Sequence, residues 1–230
     1  MKTIGLIGGM SWESTVSYYQ VINRAVQARL GGFHSAKCVM VSVDFDEIEA
    51  LQRQADWPAA GITLAHSARQ LEAAGAECVL LCTNTMHICA SVIESAIHIP
   101  FIHIADATAA SIQAAGISTI GLLGTRFTME QDFYRGRLEQ NFSLNVLTPT
   151  ATERDQVHRI IYDELVQGKI LTQSREVYRM VIEGLIARGA QGIIFGCTEI
   201  GLLVDQGDSS VPVFDTTLLH AQAAVDFALK

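Results

Sequence analysis

The amino-acid sequence predicts an α/β protein made of two pseudo-symmetric, doubly wound parallel-sheet halves of flavodoxin-like type that face each other across a cleft. Three observations carry this. Apolar runs of strand length fall at 3–7, 38–43, 78–82, 117–123, 143–147, 192–196 and 211–214, with helical stretches between them. The runs are continuous instead of alternating with polar residues, which is the mark of strands covered on both faces. The chain also repeats itself. TIGLIGG at 3–9 returns as TIGLLGT at 119–125, and CVLLCTN at 78–84 is echoed by GIIFGCTE at 192–199, both at an offset of about 115 residues.

Taken in order, the first run ends at Gly8-Gly9, and a helix follows from about Trp12 to Leu30, where Gly31-Gly32 stops it. The 38–43 run leads into DFDEIEALQR. Pro58 suits the first turn of the next helix, which Gly75 ends. The 78–82 run opens onto Thr83-Asn84-Thr85, and PFIHIAD near 100–106 marks the crossing into the second half. There, 117–123 ends at Gly124-Thr125. A helix over about 172–188 presents Val177, Met180, Val181 and Leu185 as one apolar face. The 192–196 run ends at Cys197-Thr198-Glu199, and the helix after Asp215 returns to the first half. The expected units are 1–102 with 216–230, and 103–215. Sheets of this kind place their chemistry beyond the carboxyl ends of the strands.

Bulk composition narrows the function. The chain has 230 residues, 49% apolar and only 17% charged, below the usual quarter, so it buries much of its surface. A net charge of −8 with no Lys/Arg run speaks against nucleic acid. No apolar stretch reaches membrane-spanning length. The N-terminal MKTIGLIGGM reads as a strand cut short by glycines, not as a signal peptide. Cys38, Cys78, Cys82, Cys89 and Cys197 are odd in number and form no C-x-x-C pair, which fits free thiols in a reducing cytoplasm and no metal site.

Gly8-Gly9-Met10-Ser11 is not a dinucleotide fingerprint, since its glycines run G-x-x-G-G, and no P-loop lysine follows. It reads either as a nest for a small carboxylate at a helix start or as a plain tight turn. Cys197, flanked by Gly196 and by hydroxyl and carboxyl neighbours, is the candidate nucleophile or base. A free thiol is only about 3% thiolate at neutral pH, and backbone N–H groups after Glu199 are expected to raise that fraction.

The segments GLIGGMSWEST, TNTMH, GLLGTRFTMEQDFY, IIYDELVQGK, GCTEIGLL and PVFDTTLLHA, in this order, resemble the aspartate/glutamate racemase family, nearest its broad-specificity branch in enteric bacteria. The resemblance implies a cofactor-independent amino-acid racemase, cytoplasmic and homodimeric. Two cysteines would flank the substrate's α-carbon, one removing the proton as thiolate and the other returning one to the opposite face as thiol.

This chain departs from that pattern at one position. Aligned on Asn-Thr-x-His, the first cysteine is replaced by Thr83; aligned on the internal repeat, Cys82 takes the place. The two alignments differ by one residue, which in an extended strand turns a side chain to the other face. The four-residue match of NTMH favours Thr83 toward the substrate and Cys82 packed beneath.

By the same resemblance Cys197 works on the L enantiomer. Met10, Ser11, Asn84, Thr85, Thr125 and Thr198 hold the α-carboxylate and amine, and Glu199 takes the ammonium or orients Cys197. Arg53, beside Gln52, and Lys169 are candidates to read an acidic side chain. If only Gln52 reaches the site, neutral polar amino acids such as homoserine become the expectation. The rival readings are a decarboxylase or cis-trans isomerase of the same superfamily, the former needing a single protonating cysteine, and an amino-acid-binding protein weakened in catalysis by Thr83.

Overall fold

The computed structural model describes residues 1–230. The chain forms two compact units, Met1–Ile104 with Thr217–Lys230, and Ala105–Thr216. The first holds β1 (Ile4–Gly8), α1 (Trp12–Leu30), β2 (Cys38–Ser42), α2 (Phe45–Arg53), α3 (Trp57–Ala73), β3 (Cys78–Leu81), a 3₁₀ turn over Thr85–Cys89 and α4 (Ala90–Glu94). α5 (Ile104–Ala114) carries the chain into the second unit. There follow β4 (Thr119–Gly124), α6 (Arg126–Glu130), α7 (Arg135–Phe142), β5 (Asn145–Leu147), α8 (Ala151–Asp163), α9 (Thr172–Ala187), β6 (Ile193–Gly196), α10 (Ile200–Leu203) and β7 (Val213–Asp215). α11 (Thr216–Leu229) belongs to the first unit. No helix is long and apolar enough to cross a membrane.

All strand pairs are parallel, in the orders β2-β1-β3 and β5-β4-β6-β7. In the first unit Phe101 adds a single parallel bridge beside Val79, at the place β7 holds in the second. The duplicated sequences thus sit on equivalent inner strands, β1 and β4. Strands β1, β3 and β6 are buried at every position and β4 at all but Thr119, while β2, β5 and β7 are only partly covered. Continuous apolarity means two-sided burial for the former alone.

Local chemistry sets the helix limits. α1 stops where Gly31 and Gly32 take φ of 74° and 54°, values that glycine adopts without strain. The Asp56 side chain caps α3 by accepting from the Ala59 N–H at 3.1 Å, and Pro58 lies in its first turn. On α9 the buried face is Ser174, Tyr178, Val181, Ile182 and Leu185. Met180, expected on that face, is 62% exposed. At 100° per residue it lies about 200° round from Tyr178, on the side of α9 that faces solvent.

The first sheet separates two cores. β1 and β3 send Ile4, Leu6, Cys78, Leu80 and Cys82 against Tyr18, Ile22 and Val26 of α1 and the alanines of α11. Ile7, Val79 and Leu81 pack on the opposite side with Ile48, Leu64, Leu71 and Ile93. α11 is pinned by His220, which is fully buried. Its Nε2–H donates to the Ile102 carbonyl at 2.6 Å and its Nδ1 accepts from the Tyr18 hydroxyl at 2.9 Å.

Burial holds His220 down to about 4 from the usual 6.5, against a smaller opposing pull from the Ile102 hydrogen bond. A base whose pKa falls on folding takes up protons more readily when unfolded. Its stabilising share is whole above pH 6.5 and is lost as pH falls toward 4, amounting to about 3 kcal/mol. Urea unfolding followed across this range should show that decline, and His220→Gln should flatten most of it.

Candidate active site

Both units direct polar residues to the carboxyl ends of their strands. In the first, β1 ends at Gly8-Gly9. A Cβ on Gly9 would strike the Val43 carbonyl, and its φ of +98° suits glycine alone. The absence of a side chain at Gly8 lets Thr15 pack against the loop. The Thr15 hydroxyl then accepts from the Gly9 N–H at 2.9 Å and donates to the Ser11 carbonyl at 2.8 Å. Met10 and Ser11 are held buried in this loop, joined by a cis peptide.

At the end of β3, side chains alternate between the two cores: Cys78, Leu80 and Cys82 to one, Val79 and Leu81 to the other. Cys82 is fully buried beneath α1 and α11, and burial pushes its thiol far above the usual range. The next residue is Thr83. It is 7% exposed, yet its hydroxyl makes no hydrogen bond within the chain. That hydroxyl keeps solvent-accessible surface, so water or a ligand can bond it. Asn84 and Thr85 follow, both buried, at the start of the 3₁₀ turn.

Two neighbours on α2 part company. Gln52 is buried and donates through Nε2 to Met86 Sδ at 3.0 Å, next to Thr85. Arg53, one step round the helix, is 69% exposed and pairs with Glu49 at 3.1 Å. Lys169 is likewise exposed, with Nζ on Gln167 Oε1 at 2.7 Å. The two cations singled out in the sequence therefore both lie in solvent.

In the second unit β4 and β6 end side by side at Gly124 and Gly196, which are register partners. A Cβ on Gly196 would come 2.7 Å from the Leu123 carbonyl, so the strands close only without one. Thr125 then caps α6, accepting from the Thr128 N–H at 3.3 Å. Cys197 keeps 8% exposure. Its Sγ–H donates to Glu199 Oε2 at 3.0 Å, and the same oxygen accepts from the Thr198 hydroxyl at 2.9 Å. Burial pushes the Cys197 thiol well above its usual value, and the Glu199 carboxylate adds to this; the backbone N–H groups of Glu199 and Thr198 pull the other way with less effect. The expectation that helix N–H groups would favour the thiolate is corrected here. α10 has four residues and little field to offer, while a carboxylate shares the sulfur's proton.

His87 was less legible. Its Nδ1 lies 2.7 Å from the Thr83 carbonyl, and its Nε2 accepts from the Ile104 N–H at 3.2 Å. The sequence signal is its spacing, four residues after Thr83, on the turn that leaves the strand.

A family model described as Asp/Glu/Hydantoin racemase matches residues 7–224. The chain belongs to this family. The crystal structure of a candidate Asp/Glu racemase from Yersinia pestis is 59% identical, covers all of both chains and superposes with a TM-score of 0.93. An aspartate racemase homologue from Pyrococcus horikoshii OT3 is 33% identical over the full length of both chains, with a TM-score of 0.87. The broad-specificity amino-acid racemase RacX of Bacillus subtilis (strain 168) is 23% identical over 163 residues, 68% of this chain and 66% of RacX. The match thus spans just under two thirds of that curated relative.

Alkylation of the native protein, mapped by mass spectrometry, should leave Cys82 unmodified and label Cys197 faster as pH rises. Cys82→Ala should cost about 1–2 kcal/mol of stability and leave Cys197 labelling unchanged. Labelling of Cys82 in the folded protein would reverse the assignment of the two strand faces.

Proposed function

We propose that the protein racemises a small polar amino acid by moving the α-proton between its own side chains, without a bound cofactor. Cys197 takes the proton from the L enantiomer, and the Thr83 hydroxyl delivers one to the opposite face. The observation that carries this reading is the Cys197–Glu199 hydrogen bond at a strand end, matched in the duplicated unit by the Thr83 hydroxyl, which keeps solvent access and makes no hydrogen bond within the chain.

The resting sulfur is a thiol, so it becomes a base only when its proton has somewhere to go. Glu199 Oε2, 3.0 Å away, accepts it, leaving a thiolate beside a neutral carboxyl. The thiolate then removes the α-hydrogen. The bound α-carboxylate carries the developing charge, held by the threonines, Asn84 and the backbone at Met10 and Ser11. Thr83 passes its hydroxyl proton to the carbanion and is reprotonated by water; the hydroxide so formed is neutralised by the proton Glu199 had taken, which restores the resting carboxylate. A hydroxyl is a far weaker acid than a thiol at this step, so reprotonation from that side is the slow half. The substrate side chain meets Gln52, since Arg53 and Lys169 lie in solvent. That favours a neutral polar group such as a hydroxyl over a second carboxylate. The homodimer implied by the resemblance is part of this reading.

The enantiomers have equal free energy in water, so kcat/KM must match in the two directions and the asymmetry shows only in isotope exchange. In D₂O an L substrate should exchange its α-proton several times faster than it inverts, read by NMR together with optical rotation. Cys197→Ser should abolish exchange, and Thr83→Cys should speed inversion. Equal exchange and inversion from both enantiomers would remove Thr83 from its role.

Glu199→Gln should move labelling and turnover in opposite senses. Removing the carboxylate's charge lowers the Cys197 pKa, so thiolate absorbance rises at a given pH. Exchange should nonetheless fall about 10²-fold, because no group remains to take and return the proton. A thiol kept protonated beside a carboxylate also suits a decarboxylase, and release of CO₂ from an arylmalonate with no exchange into amino acids would favour that reading instead.

A further inference from the structure

Three histidines pack together inside the first unit. His87, His103 and His220 are 2%, 4% and 0% exposed, with ring centroids 4.6 Å apart for His87–His103 and 5.8 Å for His87–His220. Phe101 closes the group at 5.5 Å from His87. Two of the rings have their protons assigned by their partners. A carbonyl only accepts and an amide N–H only donates, so His87 must be neutral with its hydrogen on Nδ1, between the Thr83 carbonyl and the Ile104 N–H. His220 must donate from Nε2 to the Ile102 carbonyl, leaving Nδ1 to accept from Tyr18.

These bonds join particular places. Ile104 is where the chain leaves the first unit, and His220 sits in the helix that follows its return at Thr217. Tyr18 belongs to α1, directly after the Gly8-Gly9-Met10-Ser11 loop. A continuous run of hydrogen bonds and backbone therefore leads from α1 through Tyr18, His220, Ile102–Ile104 and His87 to the Thr83 carbonyl. Thr83 needs such support. It lies past the last ladder residue of β3, and its own N–H turns back on the Leu81 carbonyl at 2.8 Å.

We propose that His87 is a positioning residue for Thr83: as a neutral Nδ1–H imidazole it clamps the Thr83 carbonyl to the Ile104 amide and so sets the direction in which the Thr83 hydroxyl is presented. These two bonds of the His87 ring go to backbone groups, the Thr83 carbonyl and the Ile104 N–H. This inference rests on the racemase reading for its kinetic consequence and on the hydrogen-bond geometry alone for its structural one.

The two can be tested apart. Nitrogen-15 NMR of the wild-type protein without substrate should show His87 neutral and protonated at Nδ1 at neutral pH; an Nε2–H or doubly protonated ring overturns the clamp. His87→Phe keeps an aromatic ring but removes both bonds. It should shift the Thr83 and Asn84 amide resonances and leave those of Cys197 and Glu199 in place. With an L substrate in D₂O, His87→Phe should cut inversion about 10-fold while exchange stays within about twofold, raising the exchange-to-inversion ratio. His87→Asn, whose amide can still reach the Thr83 carbonyl, should recover most of the inversion. A purely structural role would lower exchange and inversion together and would count against the proposal. If the wild-type protein exchanges no amino acid, the racemase reading fails, and the tautomer and the amide shifts still decide the clamp.

Discussion

The constraint on which the molecule rests is that its inner strands have no polar face. β1, β3 and β6 are covered on both sides, so no hydroxyl, thiol or carboxylate can project from their length without losing its water. Polar side chains are displaced to the point where the ladder ends and helices have not yet closed over it. The glycines at those ends serve the same requirement. Gly9 frees the Val43 carbonyl and Gly196 lets β6 draw against β4, so backbone and small polar groups crowd into the space that larger residues would fill.

Duplication then gives that strand-end level twice, and the two copies have come to differ in chemistry. In the second unit the position after the strand is a thiol whose proton is shared with Glu199. In the first the position after the strand is Cys82, buried in the core, and the hydroxyl of Thr83 follows one residue later, its carbonyl bonded to His87. One unit thus has a carboxylate bonded to its strand-end thiol, and the other has no carboxylate bonded to its strand-end hydroxyl. A racemase family member of this kind need not be symmetric about the stereocentre, since equilibrium constrains only the product of its steps.

Burial has two effects at Cys197 that pull against each other. It excludes water from the sulfur, and it makes the thiolate costly. The Glu199 carboxylate accepts the thiol's hydrogen bond and adds to that cost. At His87 and His220 both rings stay neutral, each with its proton directed to a carbonyl, and they act as connectors between backbone segments.

All seven strand runs are found as strands, and the parallel α/β architecture with its internal repeat was legible in the residue pattern, because two-sided burial leaves a continuous apolar trace and helix ends need glycine, proline or a capping side chain. The helical turn that places Met180 in solvent was not legible, since an apolar residue carries no mark of which side it falls on. Nor was the division of Gln52 inward and Arg53 outward, which a 100° step decides only once α2 is docked. Cys82 and Thr83 are adjacent letters; only the fold shows Cys82 packed beneath α1 and α11. The protonation of Cys197 depends on a carboxylate 3.0 Å from its sulfur, and the tautomer of His87 on an amide seventeen residues away. Periodicity and turn chemistry are local and can be read along the chain, whereas desolvation, hydrogen-bond direction and proton sharing belong to pairs of groups that only the packed fold brings within reach.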